Sequence, residues 1–510
     1  MKLDKKAILL ALVSIVIALL ISEAGLRLFT PFGPRDAKDP APVVSGAPVV
    51  TDKPLEVSEA ARYIAAMPAV PGTDRKWFGD DPPPLATRTP VSPQRIERYR
   101  DFERRGLYGP QADYIWNRKY VESERCSPNS MFRNYPETVL AFDPPGGDLR
   151  PHYRFAPSTT TFGGLVTNQF GLRGPPLTLI KPAKTIRIAF LGASTTVNNH
   201  NYPFSFPERV VYWLNRFAEA NRYDVRFEVL NAGREGLNSQ DFVSIVRDEL
   251  RPLDPDWAVY YEGANQFDPG RMLVPPIASR QQIDARDPMA AHIVPAAIRS
   301  HLALGNLLDR VLNGFSSLDE PRKPLHVLIW PVGVSEQNPN VDGPKLPLHL
   351  TTIVKDLDAI RRSLKPNGAQ LALCSFEWLA RDGLPLSATR HAFIYKQLNT
   401  VLWPLRYSEI RRLADFQNRV FRRYAESRQI PYLDVAGMLP QDPNLFVDAI
   451  HMTDTGERVK AWIVFQQLVP LLQKQIETGQ LPRPASARLP ALPSLAADPM
   501  SVRCDAGSRR

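Results

Sequence analysis

Thr185-Ile-Arg-Ile-Ala-Phe-Leu-Gly-Ala-Ser194 is the stretch that decides the fold. Thr185 to Leu191 is a β-branched, apolar run of strand type, and Gly192-Ala-Ser194 separates it from a helical pattern. A serine on such a strand-to-helix turn holds its hydroxyl out of the backbone, where a nucleophile belongs. Three further motifs follow in order: Asn231-Ala-Gly-Arg-Glu-Gly236, Gly263-Ala-Asn265 and Asp448-Ala-Ile-His451. The last places a carboxylate three residues before a histidine, so one loop can present His451 as base and Asp448 as its orienting partner.

Each motif alone has an ordinary structural explanation. A serine after a strand commonly caps a helix, Gly236 fits a left-handed turn, and Asn265 fits a turn. Order and context favour chemistry instead. The first three motifs end successive strand candidates, and the fourth lies between a strand-like Ile430-Pro-Tyr-Leu-Asp-Val435 and the last helix.

On these four blocks the chain resembles the SGNH (GDSL-like) hydrolase superfamily over roughly residues 184 to 475. The resemblance implies Ser194 as nucleophile, with His451 and Asp448 completing a triad. It also implies an oxyanion hole made by the backbone N–H groups of Ser194 and Gly236 and the side-chain amide of Asn265. Two positions depart from the family pattern: Gly-Asp-Ser reads Gly-Ala193-Ser, and Gly-x-Asn-Asp reads Gly-Ala-Asn-Gln266. Neither removes a proton-transfer or oxyanion group.

Within this region strands and helices alternate. Strand candidates are Thr185 to Leu191, Arg226 to Leu230, Trp257 to Tyr261, Gln370 to Ser375 and Tyr432 to Val435, and helices fall near 205–220, 239–250, 348–364, 408–427 and 453–474. The expected fold class is α/β, an SGNH-type three-layer arrangement with a central parallel sheet flanked by helices. A long insertion, 268–347, follows Asn265; it carries a helical pattern over Ala290 to Leu312 and a strand-like His326-Val-Leu-Ile-Trp330. It is the candidate substrate-recognition element, because insertions there lie over the carboxyl edge of the sheet.

At the start of the chain Lys2, Lys5 and Lys6 precede an apolar run from Ala7 to Ile21. Residues 1–30 therefore read as a signal anchor, a transmembrane helix that leaves the lysines in the cytoplasm and sends the rest outward, to a periplasmic or extracellular location. A cleaved signal peptide ending at Ser22-x-Ala24 is the alternative.

Residues 31–93 hold thirteen of the chain's 50 prolines and read as an extended linker. Residues 94–155 are richer in aromatic residues such as Tyr99, Trp116 and Tyr135 and suggest a folded extension. The hydrolase domain spans 156–475, and 476–510 reads as a flexible tail.

The 510 residues carry a formal charge of +10. Zinc-finger spacing and aromatic-basic repeats are both missing, so nucleic acid is not an expected partner. Gly192-Ala-Ser-Thr-Thr196 lacks the lysine of a phosphate loop, and His200, His292, His301, His326, His349 and His391 show no ligand spacing. No cofactor or metal is expected. An exported basic protein suits anionic lipid or acidic polymer. Cys374 sits in a strand pattern as a small buried residue, while Cys126 and Cys504 lie in the two appendages, where an oxidising compartment would allow them to pair.

The expected function is a serine esterase acting on ester bonds, on O-acyl groups of an envelope glycan or a related ester, through an acyl-serine intermediate. Two alternatives fit the same residues: an O-acyltransferase that delivers the acyl group to a polysaccharide, and a non-catalytic carbohydrate-binding protein of the same fold.

Overall fold

A computed structural model describes residues 55–85, 139–141, 150–151, 153–155, 157–158, 165–198, 203–274, 317–387 and 390–492. The proposed anchor (1–30), the helical pattern at 290–312, Cys126 and Cys504 lie outside them.

Five parallel strands form the central sheet: β1 (Thr185–Gly192), β2 (Arg226–Asn231), β3 (Trp257–Tyr261), β4 (Gln370–Cys374) and β5 (Tyr432–Leu433). Their spatial order is 2-1-3-4-5. All eight residues of β1 and all five of β3 are buried, as expected of strands covered on both faces. Because β1 connects outward to β2 and β3 connects the other way to β4, the loops after β1 and β3 diverge. The crevice between their carboxyl ends is the switch point at which doubly wound sheets place ligands.

The helices that cover the sheet lie close to the positions the periodicity predicts; three of them, Phe206–Ala220, Leu350–Leu364 and Tyr407–Arg428, are amphipathic, whereas Asp454–Glu477 is buried all round from Thr455 to Gln466. α3 (Phe206–Ala220) packs on α7 (Asp454–Glu477), while α4 (Ser239–Ser244), α5 (Leu350–Leu364) and α6 (Tyr407–Arg428) pack among themselves. A π-helical turn, Ile245–Leu250, continues α4. The strand-like His326 to Trp330 contributes Val327–Leu328, which pairs antiparallel with Leu273–Val274 outside the main sheet.

The linker reading of 31–93 is corrected over residues 55–85. These form helix α1 (Val57–Ala66) and a 3-10 turn, Arg75–Gly79, and they bury Ala60, Ile64, Trp77 and Phe78 in the main core. Phe78 meets Trp462 edge-on at 5.9 Å between ring centres, and Trp462 meets Trp213 at 5.1 Å. The physical reason is local: the prolines flank a ten-residue stretch, Val57-Ser-Glu-Ala-Ala-Arg-Tyr-Ile-Ala-Ala66, that contains none and has its own capping box between Glu56 and Glu59. Proline density over the whole interval conceals it. Charge reinforces the docking, with Asp81 bridging Arg209 at 3.4 Å and Arg458 at 2.5 Å.

The tail reading of 476–510 is corrected in its first part. Helix α7 runs on to Glu477, Leu481 is buried, Arg483 Nε donates to Asp256 Oδ1 at 2.9 Å, and Ser486 Oγ donates to Asp254 Oδ1 at 2.6 Å. Two buried aspartates at the amino edge of the sheet recruit these side chains.

Candidate active site

Ser194 opens α2 (Ser194–Val197), a single turn that begins where β1 stops. Gly192 permits that geometry, since a Cβ there would come within 2.4 Å of the Tyr261 carbonyl oxygen and within 1.9 Å of Thr196 Oγ1. Without that side chain Thr196 Oγ1 donates to the Tyr261 carbonyl at 3.2 Å, joining the ends of β1 and β3.

Residues 442–453, between β5 and α7, fold back on themselves. Val447 N donates to His451 O at 2.8 Å, and Thr453 N to Leu445 O at 3.0 Å. The turn is held from outside as well, because Leu379 N donates to Ala449 O at 2.8 Å and Gln397 Oε1 accepts from Ala449 N at 2.7 Å. Asp448 Oδ1 accepts from the backbone N–H groups of Ile450 (2.9 Å) and His451 (2.8 Å), leaving Oδ2 for the His451 ring at 2.9 Å from Nδ1. His451 Nε2 then lies 2.8 Å from Ser194 Oγ.

This arrangement sets the tautomer. A carboxylate only accepts, so Nδ1 carries the proton, and the neutral ring presents the Nε2 lone pair to the serine hydroxyl. Asp448 is 1% exposed, which strengthens its hold on the ring, and Ser194 at 8% remains reachable. The structure thus brings together the three residues that the sequence singles out as nucleophile, base and orienter.

Gly236 follows β2 with φ of +71°, open space around it and no steric cost as glycine. Asn265 follows β3, and its side-chain Nδ2 donates one hydrogen to Leu237 O at 2.6 Å. That bond ties the two candidate oxyanion segments together and leaves the second amide hydrogen uncommitted. Gln266, where the family pattern has Asp, accepts from Ser239 N at 2.8 Å and so secures the start of α4.

Several buried polar residues support this site that sequence reasoning does not find. Glu262 Oε1 accepts from the N–H groups of Ala264 (2.8 Å) and Asn265 (2.9 Å). Burial pushes its carboxyl pKa up, opposed by these bonds and by the N–H groups of Gly263 and Ala193. That side chain therefore fastens the Asn265 turn. Lys460 and Arg173 reach the nucleophile turn from elsewhere in the chain. In sequence Lys460 looks like any solvent-facing lysine on a helix.

Three other histidines have structural partners: His326 Nε2 lies 2.8 Å from Glu409 Oε2, His349 Nδ1 3.0 Å from Gln266 O, and His391 Nδ1 accepts from Ser387 N at 3.0 Å. His152, His200, His292 and His301 lie outside the described residues. Among the described residues no group of three His, Cys, Asp or Glu side chains is arranged to hold a metal, and no helix is long and apolar enough to cross a membrane. Cys374 is buried and free, and burial pushes its thiol pKa up.

No protein-family model matches the chain. No curated protein matches it. Solved structures with some likeness include a variant of an acetyl xylan esterase from Geobacillus stearothermophilus, at 13% identity and TM-score 0.31, covering 57% of this chain and 97% of that one. A GDSL-like lipase from Bacteroides thetaiotaomicron is 12% identical at TM-score 0.26, with 57% and 88% covered. A putative acylhydrolase from Bacteroides fragilis is 14% identical at TM-score 0.26, with 57% and 87% covered. Likenesses this distant assign nothing to the site, whose reading rests on its own geometry.

Proposed function

We propose that this chain is an SGNH-type serine esterase working through an acyl-serine intermediate. The observation that carries the reading is the unbroken line of contacts from Asp448 through His451 to Ser194 Oγ. His451 Nε2 takes the Ser194 proton as Oγ bonds to the ester carbonyl carbon, and the carbonyl oxygen becomes an oxyanion. The N–H groups of Ser194 and Gly236 and the Asn265 amide are assigned to receive that charge. The protonated His451 returns its proton to the departing alcohol, leaving the acyl group on Oγ. Water, deprotonated by His451, then attacks the acyl-serine; the acid departs and Oγ recovers its proton.

The substrate assigned is an O-acylated envelope glycan or related ester, met outside the cytoplasm by an enzyme anchored through residues 1–30. The lysine-flanked apolar run supports the placement. The net charge of +10 suits an anionic surface or polymer.

The test is labelling of protein lacking residues 1–30 by a fluorophosphonate probe, alongside hydrolysis of p-nitrophenyl acetate. The wild type should be labelled, and Ser194→Ala should lose labelling and about a thousandfold or more of turnover while keeping its fold. Equal labelling of folded Ser194→Ala would remove the reading.

A further inference from the structure

The turn that carries Ser194 is too short to satisfy its own carbonyl groups. Among the described residues, no backbone N–H donates to the Thr195, Thr196 and Val197 carbonyls of α2 or to that of Asn198 just beyond. Buried side chains supply every one. Lys460 Nζ donates to Thr195 O at 2.8 Å and Asn231 Nδ2 to Thr196 O at 3.3 Å, while Arg173 Nη1 donates to Val197 O at 2.9 Å and to Asn198 O at 2.6 Å.

Lys460 is an expensive residue for that task. Its side chain is fully buried, seated over the rings of Phe206 (4.5 Å) and Tyr261 (4.9 Å), with Glu457 Oε1 at 2.7 Å. The other oxygen of Glu457 is buried with no hydrogen-bond partner. A buried ion pair with a half-satisfied carboxylate is a poor stability device, and well-packed apolar side chains would serve the core as well or better. Its presence there calls for another reason.

That reason lies in what Lys460 is bonded to. The peptide unit that presents the Thr195 carbonyl to Lys460 also carries the Thr196 N–H, which donates to Ala193 O at 2.9 Å. The unit that carries the Ala193 carbonyl also carries the Ser194 N–H. A cation therefore stands at one end of a chain of two peptide dipoles, and the Ser194 N–H stands at the other. Hydrogen bonds in such chains polarise one another.

We propose that Lys460 is a positioning residue for the oxyanion hole, polarising and aiming the Ser194 N–H through the Thr195–Thr196 and Ala193–Ser194 peptide units. The inference rests on the esterase reading, in which that N–H receives the oxyanion. Asn231 feeds the same Ala193 carbonyl through Val197 N (3.0 Å) but carries no charge. Arg173 feeds Ser194 O through Asn198 N (2.9 Å), and the N–H on that unit belongs to Thr195. Lys460 is thus the cation in line with the Ser194 N–H.

The experiment compares wild type, Lys460→Met, the double variant Glu457→Gln/Lys460→Met, and Glu457→Gln alone. Each is followed by the rate of fluorophosphonate labelling, by kcat and KM on p-nitrophenyl acetate, and by thermal melting. Both lysine variants should lose about tenfold in kcat and labelling rate with KM unchanged, a fraction of the ~100-fold or more that a whole oxyanion donor is worth. Glu457→Gln, which keeps the donor, should stay within about threefold of wild type.

The double variant leaves no unpaired buried charge and should melt no lower than wild type, which keeps the test open if Lys460→Met alone fails to fold. Wild-type kcat and labelling in the folded double variant would overturn the inference while leaving the esterase reading intact. So would equal losses in Glu457→Gln and the lysine variants, because the pair would then serve the fold alone. An unlabelled wild type would remove the esterase reading and this inference with it.

Discussion

Thr455 Oγ1 donates to the carbonyl of Leu55 at 2.7 Å, across 400 residues of sequence. This bond fastens the segment that enters the domain to the first turn of α7, just beyond the histidine that faces Ser194. Tyr63 and Arg62 on α1 add a second fastening, since both donate to Asp442 at the start of the turn that carries Asp448 and His451. Residues 55–85 therefore belong to the same folded unit as the candidate site.

Removing that segment should be costly. Truncation to residue 86 would uncover the Trp213 and Trp462 rings and leave Arg209 and Arg458 without Asp81. We expect insoluble or molten protein, whereas a chain beginning at residue 51 should melt cooperatively. The single substitution Trp77→Ala should cost about 3–5 kcal/mol, the usual toll for deleting a buried aromatic side chain. Denaturant melts measure it, and a loss below about 1 kcal/mol would mean the segment is not part of the core.

Asp442 gives the same contact a pH dependence. Burial pushes its carboxyl pKa up, but the Tyr63 hydroxyl, the Asn444 N–H and amide and Arg62 outweigh that, and the net pKa lies below the usual carboxylate value. A depressed folded pKa stabilises above the unfolded pKa, and the stabilisation is lost as pH falls through the folded value. Asp442→Asn should therefore lower the melting temperature at pH 7, with the gap to wild type closing as pH falls through the ordinary carboxylate range and below it. A gap that stays constant through that range would show that the charge of Asp442 contributes nothing.

Asn265→Ala removes one assigned oxyanion donor and the bond to Leu237 O. On p-nitrophenyl acetate kcat should fall by about a hundredfold or more with KM little changed. A rise in KM at constant kcat would instead assign Asn265 to substrate binding.

His451 must be neutral to accept the Ser194 proton, so activity should disappear on acidification along a single-proton limb that tracks kcat/KM. EDTA should leave the rate unaltered. A loss restored by zinc or magnesium would point to a metal-dependent step.

The membrane placement is tested separately. A reporter fused after residue 30 should be active only in the exported compartment, and the full-length protein should stay with membranes through a high-salt wash. Release as a soluble protein beginning at Gly25 would mean that Ser22-x-Ala24 is cleaved.

Much of the fold is legible in the sequence because sheet strands and covering helices advertise themselves locally. Trp257–Tyr261 and Gln370–Cys374 are apolar runs of strand length, and Leu350–Leu364 and Tyr407–Arg428 repeat apolar residues at helical spacing. The positions of Ser194, Asp448 and His451 are legible for the same reason, each lying at the end of a readable element or within a four-residue motif. Tertiary structure alone brings His451 within 2.8 Å of a serine 257 positions earlier and seats α1 on Trp462, whose neighbours in sequence say nothing of it. It alone also makes Lys460 a buried donor to Thr195 O and makes Glu262 the acceptor that fastens the Asn265 turn. Periodicity records which face of an element is apolar, whereas a buried charge is decided by what the folded chain places around it. Only packing can supply the carboxylate and aromatic faces that make such a lysine tolerable.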